Sequence, residues 1–284
     1  MHSEKMQLKA YAKINLTLNV LKRLPSGYHE IESVMHRVDL HDVVSVRKIS
    51  NGIKIKCDNS LVPTDEKNAA YKAAELLIKR CDIRSGVEIT IEKKIPIAAG
   101  LSGGSTDAGT VLIMINKMFN LNLSKQEIMM AASEIGMDVP FSILGGAAIA
   151  KGRGEVLEQV KGADFEVLIV NPGILVSTKE SYENLNLSEC GQKVNTSKMV
   201  EGLRENNAIK IAENLHNDFE HSVIKKHPII GKIKQELILA GALNSIMSGS
   251  GSTVFGVFEK GGAENALSKL REKYPFVYLS KTIL

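Results

Sequence analysis

Apolar and polar residues alternate strictly from Ile14 to Val20. Ile14, Leu16, Leu18 and Val20 fall on one side, and Lys13, Asn15, Thr17 and Asn19 on the other. A period of two marks a half-buried strand. The same alternation sets Val87, Ile89 and Ile91 against Glu88, Thr90 and Glu92 and predicts another strand. Shorter runs at 43–46 and 53–55 flank Asn51-Gly52, a dipeptide that favours a hairpin between them. From Asn68 to Lys79 the spacing becomes helical, with Ala69, Ala73, Leu76 and Leu77 on one face. Residues 108–119 are apolar enough for a buried helix. Ser124 and Glu127 have capping-box spacing ahead of the stripe Ile128, Ala131, Ala132 and Ile135, which Gly136 is placed to end. Beyond these, strands are expected at 147–150, 165–170, 253–258 and 277–280, and helices near 197–204, 209–215, 229–239 and 263–273. Strands and helices alternate irregularly, which favours an α+β fold over a doubly wound parallel sheet. Lys151-Gly152-Arg153-Gly154 breaks the pattern and is the expected domain boundary.

Composition narrows the function classes. A chain of 284 residues with 44% hydrophobic and 24% charged residues is globular and needs no disulfide or metal staple. It has no Trp and 5% aromatics, which argues against the stacked rings of a single-strand nucleic-acid binder. Its 36 basic and 32 acidic residues are interspersed, so the net charge of +4 makes no case for nucleic acid, while a small anionic ligand suits it. Cys57, Cys81 and Cys190 show no CxxC spacing and are expected as reduced thiols in a cytoplasmic protein. Neither a signal peptide nor an apolar stretch long enough to span a bilayer is visible, so no membrane role is expected. The expected state is a monomer or weak homodimer.

The most informative stretch is Pro96-Ile97-Ala98-Ala99-Gly100-Leu101-Ser102-Gly103-Gly104-Ser105-Thr106-Asp107, which joins a predicted strand to a predicted helix. Glycines let backbone approach a ligand, and Ser105, Thr106 and Asp107 are good N-cap residues, so the helix is expected to start among them. A helix N-terminus offers unpaired N–H groups and positive potential to a phosphate. The stretch has neither the GxxxxGK[ST] of a Walker A loop nor GxGxxG spacing. Phosphate charge must therefore be met by backbone amides, a metal and a distant base.

This loop resembles the ATP loop of the GHMP kinases, the family of galactokinase, homoserine kinase, mevalonate kinase and phosphomevalonate kinase. Ala12-Lys13-Ile14-Asn15-Leu16 resembles the family's first motif. Ser248-Gly249-Ser250-Gly251-Ser252-Thr253-Val254-Phe255-Gly256 resembles its C-terminal glycine motif, and all three stand in family order. Ser26-Gly27-Tyr28-His29, Gly136-Met137-Asp138-Val139-Pro140, Asn217-Asp218-Phe219-Glu220 and Asp107 are similar to the branch that phosphorylates a cytidine diphosphate-linked methylerythritol. The chain departs from the pattern at Ser102, where Gly is usual, at Thr106 (usually Ser) and at Gly109 (usually Ala).

The resemblance implies a two-domain GHMP kinase fold. Residues 1–155 would form an ATP-binding domain like the second domain of ribosomal protein S5, and residues 156–284 a ferredoxin-like domain, with ATP and substrate meeting in a cleft between them. It implies phosphorylation of the 2-hydroxyl of that cytidyl substrate, a step of non-mevalonate isoprenoid synthesis, with Mg2+ expected on the ATP and no metal ligands identifiable. Asp138 matches the family's catalytic aspartate and Lys13 its catalytic lysine. Lys13 would pair with Asp138 or stabilise charge on the phosphoryl oxygens. Residues 96–106 would hold the nucleotide phosphates, and Asn68 and Lys72 match positions near the adenine. On the substrate side, His29 matches a residue that hydrogen-bonds cytosine and Tyr182 an aromatic that stacks on it, with Tyr28 and Asn15 alongside. Taken alone, Asp138 reads as a turn residue, Lys13 as a solvated strand lysine, and the Gly249-Ser250-Gly251 turn as a tight turn feeding a strand. Two other readings stay open: a homoserine- or mevalonate-type kinase, and a catalytically inactive homologue that senses a ligand.

Overall fold

The computed structural model describes residues 5–192 and 195–284. The chain divides into two compact units. The first takes in residues up to Ala12, Leu40–Ile97 and Ser102–Leu144. The second takes in Lys13–Asp39, Ala98–Leu101 and Gly145–Leu284. Two long strands, β1 (Lys5–Arg23) and β2 (His29–Ile49), contribute residues to both.

In the first unit the later part of β2 is followed by β3 (Ile53–Cys57), α1 (Ala69–Arg80), β4 (Gly86–Glu92), α2 (Gly103–Met118), α3 (Lys125–Ile135) and α4 (Val139–Leu144). The expected hairpin of β2 on β3 is not formed. β4 lies between them, antiparallel to β2 from Val43↔Glu92 to Ile49↔Gly86 and parallel to β3 from Ile53↔Val87 to Cys57↔Ile91. The reason is burial: Val87, Ile89 and Ile91 are fully buried and need a strand on each side. Asn51-Gly52 carries the chain past β4 instead. The Gly52 carbonyl accepts from the Val87 N–H (2.9 Å), and a Cβ on Gly86 would fall 2.2 Å from the Gly52 oxygen. Ala73, Leu77, Val111, Leu112, Ile115 and Ala131 from α1, α2 and α3 cover this sheet.

The capping box forms as expected, with Ser124 and Glu127 exchanging bonds at the start of α3. Gly136 ends α3 in an extended conformation rather than a left-handed one. α4 follows where only a link to a strand was expected. It packs so closely on α2 that a Cβ on Gly109 would lie 1.9 Å from Ser142 Oγ. The lack of a side chain at Gly109 is the space that α4 uses.

In the second unit the early part of β2 pairs with β5 (Ala147–Lys151), which pairs with β6 (Val156–Val160). Next come β7 (Glu166–Asn171), α5 (Thr178–Glu183), α6 (Thr196–Glu205), α7 (Ala208–Glu213) and β8 (His216–Asn217). The unit ends with α8 (Glu220–Lys226), α9 (Pro228–Leu239), β9 (Asn244–Met247), β10 (Val254–Phe258), α10 (Glu264–Arg271) and β11 (Phe276–Lys281). An antiparallel sheet in the order β11-β7-β10-β9 shares one core with α8, α9 and α10, through Leu168, Val170, Val254, Val223, Ile233 and Leu270. β8 runs parallel to β1 at Thr17↔His216. The chain has the expected α+β fold.

β1 departs from the half-buried expectation: every residue from Ala12 to Val20 is buried on both faces. The polar face is bonded internally from Lys13 to Thr17, whereas the buried Asn19 Oδ1 has no hydrogen-bond partner. Lys13 Nζ donates to Asn15 Oδ1 (2.5 Å), Asn15 Nδ2 to Ser33 Oγ (2.8 Å), and Ser33 Oγ to the Thr17 carbonyl (2.5 Å). Among the described residues no helix is long and apolar enough to cross a membrane.

Candidate active site

Three motifs far apart in sequence meet in the second unit. The Lys13 N–H donates to the Leu101 carbonyl (3.3 Å), and the Thr253 N–H to the Ala99 carbonyl (3.4 Å). Ser248 Oγ accepts from the Asn15 N–H (3.3 Å) and donates to the Gly100 carbonyl (3.0 Å). Asn217 Nδ2 donates to the carbonyls of Met247 (2.7 Å) and Gly249 (2.8 Å), so the Asn217-Asp218 motif braces the glycine turn from behind. Gly100 sits at φ +75°, and a Cβ there would lie 2.0 Å from the Ser248 oxygen. Both partners are backbone, so neither can swing aside. Gly100→Ala is expected to destabilise the protein by about 1–3 kcal/mol. Denaturant unfolding checks this, and an unchanged midpoint would show that the loop and the turn do not touch in solution.

The residues matched to cytosine recognition lie in the same unit. The rings of His29 and Tyr182 stack at 4.8 Å and 17°, and Phe219 meets Tyr182 edge-on at 4.7 Å. Burial, with Arg23 adding to it, holds the His29 imidazole below its ordinary pKa, so it stays neutral and keeps both a donor and an acceptor. Phe219 is set in turn by Asn217 Oδ1, which accepts its N–H (3.0 Å). Asp218 Oδ2 accepts the N–H groups of Val20 (2.7 Å) and Gly191 (3.0 Å), while Oδ1 bonds His216 (2.7 Å). Burial alone would raise Asp218, but these bonds outweigh it and hold the carboxylate low. Tyr28 does not join the ring pair: it is exposed, with the Arg153 guanidinium 5.3 Å from its ring centre.

The rest of the loop belongs to the first unit. α2 starts at Gly103, earlier than the expected Ser105–Asp107, because Ser102 adopts a left-handed turn (φ 59°) and its carbonyl accepts the Thr106 N–H (2.9 Å). Ser105, Thr106 and Asp107 therefore lie inside the helix. The amides of Gly103, Gly104 and Ser105 form its positive end, and a Cβ on Gly104 would meet nothing within 4 Å. Thr106 Oγ1 is committed to the Tyr11 carbonyl (2.8 Å). Ser102 Oγ donates to Asp138 Oδ2, which fixes the carboxylate just ahead of α4. Asn68 is the N-cap of α1, accepting from Ala70 N–H (2.8 Å) and donating to the Pro63 carbonyl (2.7 Å), and Lys72 lies one turn on. Pro96 and Ile97 are half-buried at the loop's entrance. Among the described residues no three His, Cys, Asp or Glu groups stand together as a metal cage.

A glycine loop that opens a helix, with an aspartate anchored on its serine, suits an enzyme that handles phosphate. The GHMP kinases N terminal domain matches residues 68–146, and the GHMP kinases C terminal domain residues 199–275. The chain belongs to the GHMP kinase family. It is 45% identical to the 4-diphosphocytidyl-2-C-methyl-D-erythritol kinase of Clostridium botulinum (strain Eklund 17B / Type B), over 98% of this chain and 100% of that protein. It is 42% identical to the enzyme of the same name from Thermoanaerobacter pseudethanolicus (strain ATCC 33223 / 39E), over 99% and 97%. Among solved structures, 4-(cytidine 5'-diphospho)-2C-methyl-D-erythritol kinase aligns with TM-score 0.86 and 29% identity, over 98% of this chain and 99% of that one. Homoserine kinase from Cytophaga hutchinsonii, 19% identical with TM-score 0.79 over 99% and 96%, shares the fold.

Proposed function

We propose that this protein transfers the γ-phosphoryl group of ATP to the 2-hydroxyl of 4-diphosphocytidyl-2-C-methyl-D-erythritol, a step of isoprenoid precursor synthesis. Full-length identity to kinases of that name carries the reading. Each requirement of the reaction has a candidate residue. The α2 amides meet phosphate oxygens without a basic loop residue. Asp138, held by the Ser102 hydroxyl, accepts the proton of the attacking hydroxyl. Lys13, oriented by Asn15, stabilises charge on the phosphoryl oxygens, and Asn15 contributes to the substrate side. The His29–Tyr182 pair offers a flat face and a neutral polar edge to cytosine. Asn68 sets the start of α1, and with Lys72 it is assigned to the adenine side. Mg2+ travels with the ATP. Three unpaired cysteines suit a cytoplasmic setting, and a monomer or weak homodimer is the proposed state.

An ADP-release assay with the cytidyl alcohol, homoserine and mevalonate tests this. Release with the cytidyl alcohol alone is expected. Release only with another alcohol would overturn the substrate, and ATP binding without release on any acceptor would overturn the enzyme.

A further inference from the structure

The first unit holds a second set of ionisable groups to which no role has been given. Lys93, just past β4, donates to Asp42 on β2 and to Asp107 Oδ2 on α2 (3.0 Å). The three side chains are 5%, 0% and 4% exposed. Asp42 Oδ1 also accepts the N–H groups of Lys94 (2.6 Å) and Ile95 (2.8 Å), where the chain leaves β4 for the glycine loop. Asp107 lies about one turn into α2, and a Cβ on Gly103 would stand 3.2 Å from Lys93 Nζ. The cluster thus joins the entrance of the loop to the first turn of the helix that the loop opens.

Its charges do not balance: one ammonium faces two carboxylates, and Asp107 Oδ1, though buried, has no hydrogen-bond partner. Burial pushes Asp107 up to about 7; Lys93 opposes that rise and Asp42 reinforces it. Burial works against the Lys93 charge, but the two carboxylates outweigh it and hold the ammonium above its usual range. The Cys57 thiol on β3 feels the same cluster and is raised chiefly by its own burial, so it stays neutral. With a proton on Asp107 the cluster is neutral. Without it, one net negative charge sits beside the amides proposed to receive phosphate.

We propose that Asp42, Lys93 and Asp107 are positioning residues for the nucleotide. They clamp the two ends of the glycine loop, and a proton held on Asp107 makes the loop receptive to phosphate. This rests on the ATP-kinase reading and adds to it that nucleotide binding favours the protonated cluster. The linkage has a definite sign. An anion at the end of α2 raises the affinity of Asp107 for its proton, so nucleotide affinity falls as pH rises through the titration of this group. One charge across a helical turn or two gives an effect on the order of tenfold.

Calorimetric titration of the full chain with AMP-PNP between pH 6 and 9 tests the idea in wild type, Asp107→Asn and Lys93→Gln. The nucleotide's own titration cancels in the ratio of wild-type to Asp107→Asn dissociation constants. That ratio is expected near one at pH 6 and near ten at pH 8.5. Lys93→Gln is expected to weaken AMP-PNP at least tenfold at every pH while leaving the affinity for the cytidyl alcohol within twofold. A ratio that stays flat across the range overturns the proposal. So does a folded Lys93→Gln with wild-type AMP-PNP affinity, or one that loses both ligands equally. Should Lys93→Gln fail to fold, the near-isosteric Asp107→Asn decides alone. ADP release on the cytidyl alcohol, measured alongside, separates the two readings: activity with a flat ratio removes the clamp and keeps the enzyme, whereas a wild type that binds no AMP-PNP removes the enzyme.

Discussion

Replacing Asp138 with asparagine is expected to lower kcat by about a hundred- to ten-thousand-fold while leaving the protein folded. The fold should survive because the amide oxygen of asparagine can still accept the Ser102 hydroxyl that holds this side chain. What disappears is the ability to take a proton. An alcohol is a poor nucleophile, and its proton must leave as the bond to phosphorus forms; a hundredfold loss corresponds to about 2.7 kcal/mol of transition-state stabilisation. Neither ATP nor the cytidyl alcohol depends on that proton transfer to bind, so both KM values should stay within a few-fold. Steady-state ADP release and thermal unfolding make the test. A near-normal kcat would remove Asp138 from the chemistry, and a rise confined to one KM would make it a binding residue. Ser102 gives the comparison a further use: it is a left-handed serine (φ 59°) whose hydroxyl reaches the carboxylate.

Local pattern was enough for most elements because each rests on a short-range cause. The α3 capping box is set by two residues three apart, and β4 by its own alternation. What escaped were long-range choices. Asn51-Gly52 is a sound hairpin signal, yet β4, more than thirty residues on, takes the place between β2 and β3 because only a central position buries Val87, Ile89 and Ile91. The polar face of β1 looked like a surface because nothing near it in sequence reports Ser33, whose hydroxyl links Asn15 to the Thr17 carbonyl. Short helices such as α4 and α5, six residues each, carry too little periodicity to be read.

The glycine loop reads as a candidate phosphate-binding segment from spacing alone, and the family is legible from three motifs in order. The roles proposed for Lys13 and Asp138 are not legible in this way: each is an ordinary residue in an ordinary local setting, and only resemblance singles it out. Lys93 and Asp42 went unnoticed for the opposite reason. Lys93-Lys94 follows a strand and reads as solvated charge, and Asp42 sits in an unremarkable run before Val43. Only the register of β2 on β4 brings them beside Asp107. One available signal is Asp107 itself, an acidic residue directly after the small polar residues of the glycine loop, where a bare charge would work against the proposed phosphate.

Lys13→Met should combine a loss of rate with a loss of stability, and the two have separate causes. The lysine is 6% exposed and its ammonium donates to Asn15 Oδ1 at 2.5 Å. Methionine follows the aliphatic stem but leaves that buried oxygen without its donor, at a cost of about 1–3 kcal/mol. Removing one positioned donor from developing negative charge costs about a hundred- to a thousand-fold in kcat. Asn15→Leu removes the lysine's acceptor along with its own substrate-side amide; with saturating alcohol it should lose stability comparably and keep much more of the rate, because the ammonium remains. Lys13→Arg should not rescue: a planar guanidinium is larger than an ammonium and cannot replace its point charge in a packed strand face. Single-turnover phosphoryl transfer with saturating ATP and alcohol isolates the chemical step from binding. If Lys13→Met and Asn15→Leu lose rate equally, the lysine acts through packing alone. If only Lys13→Met loses it, the charge is what the reaction uses.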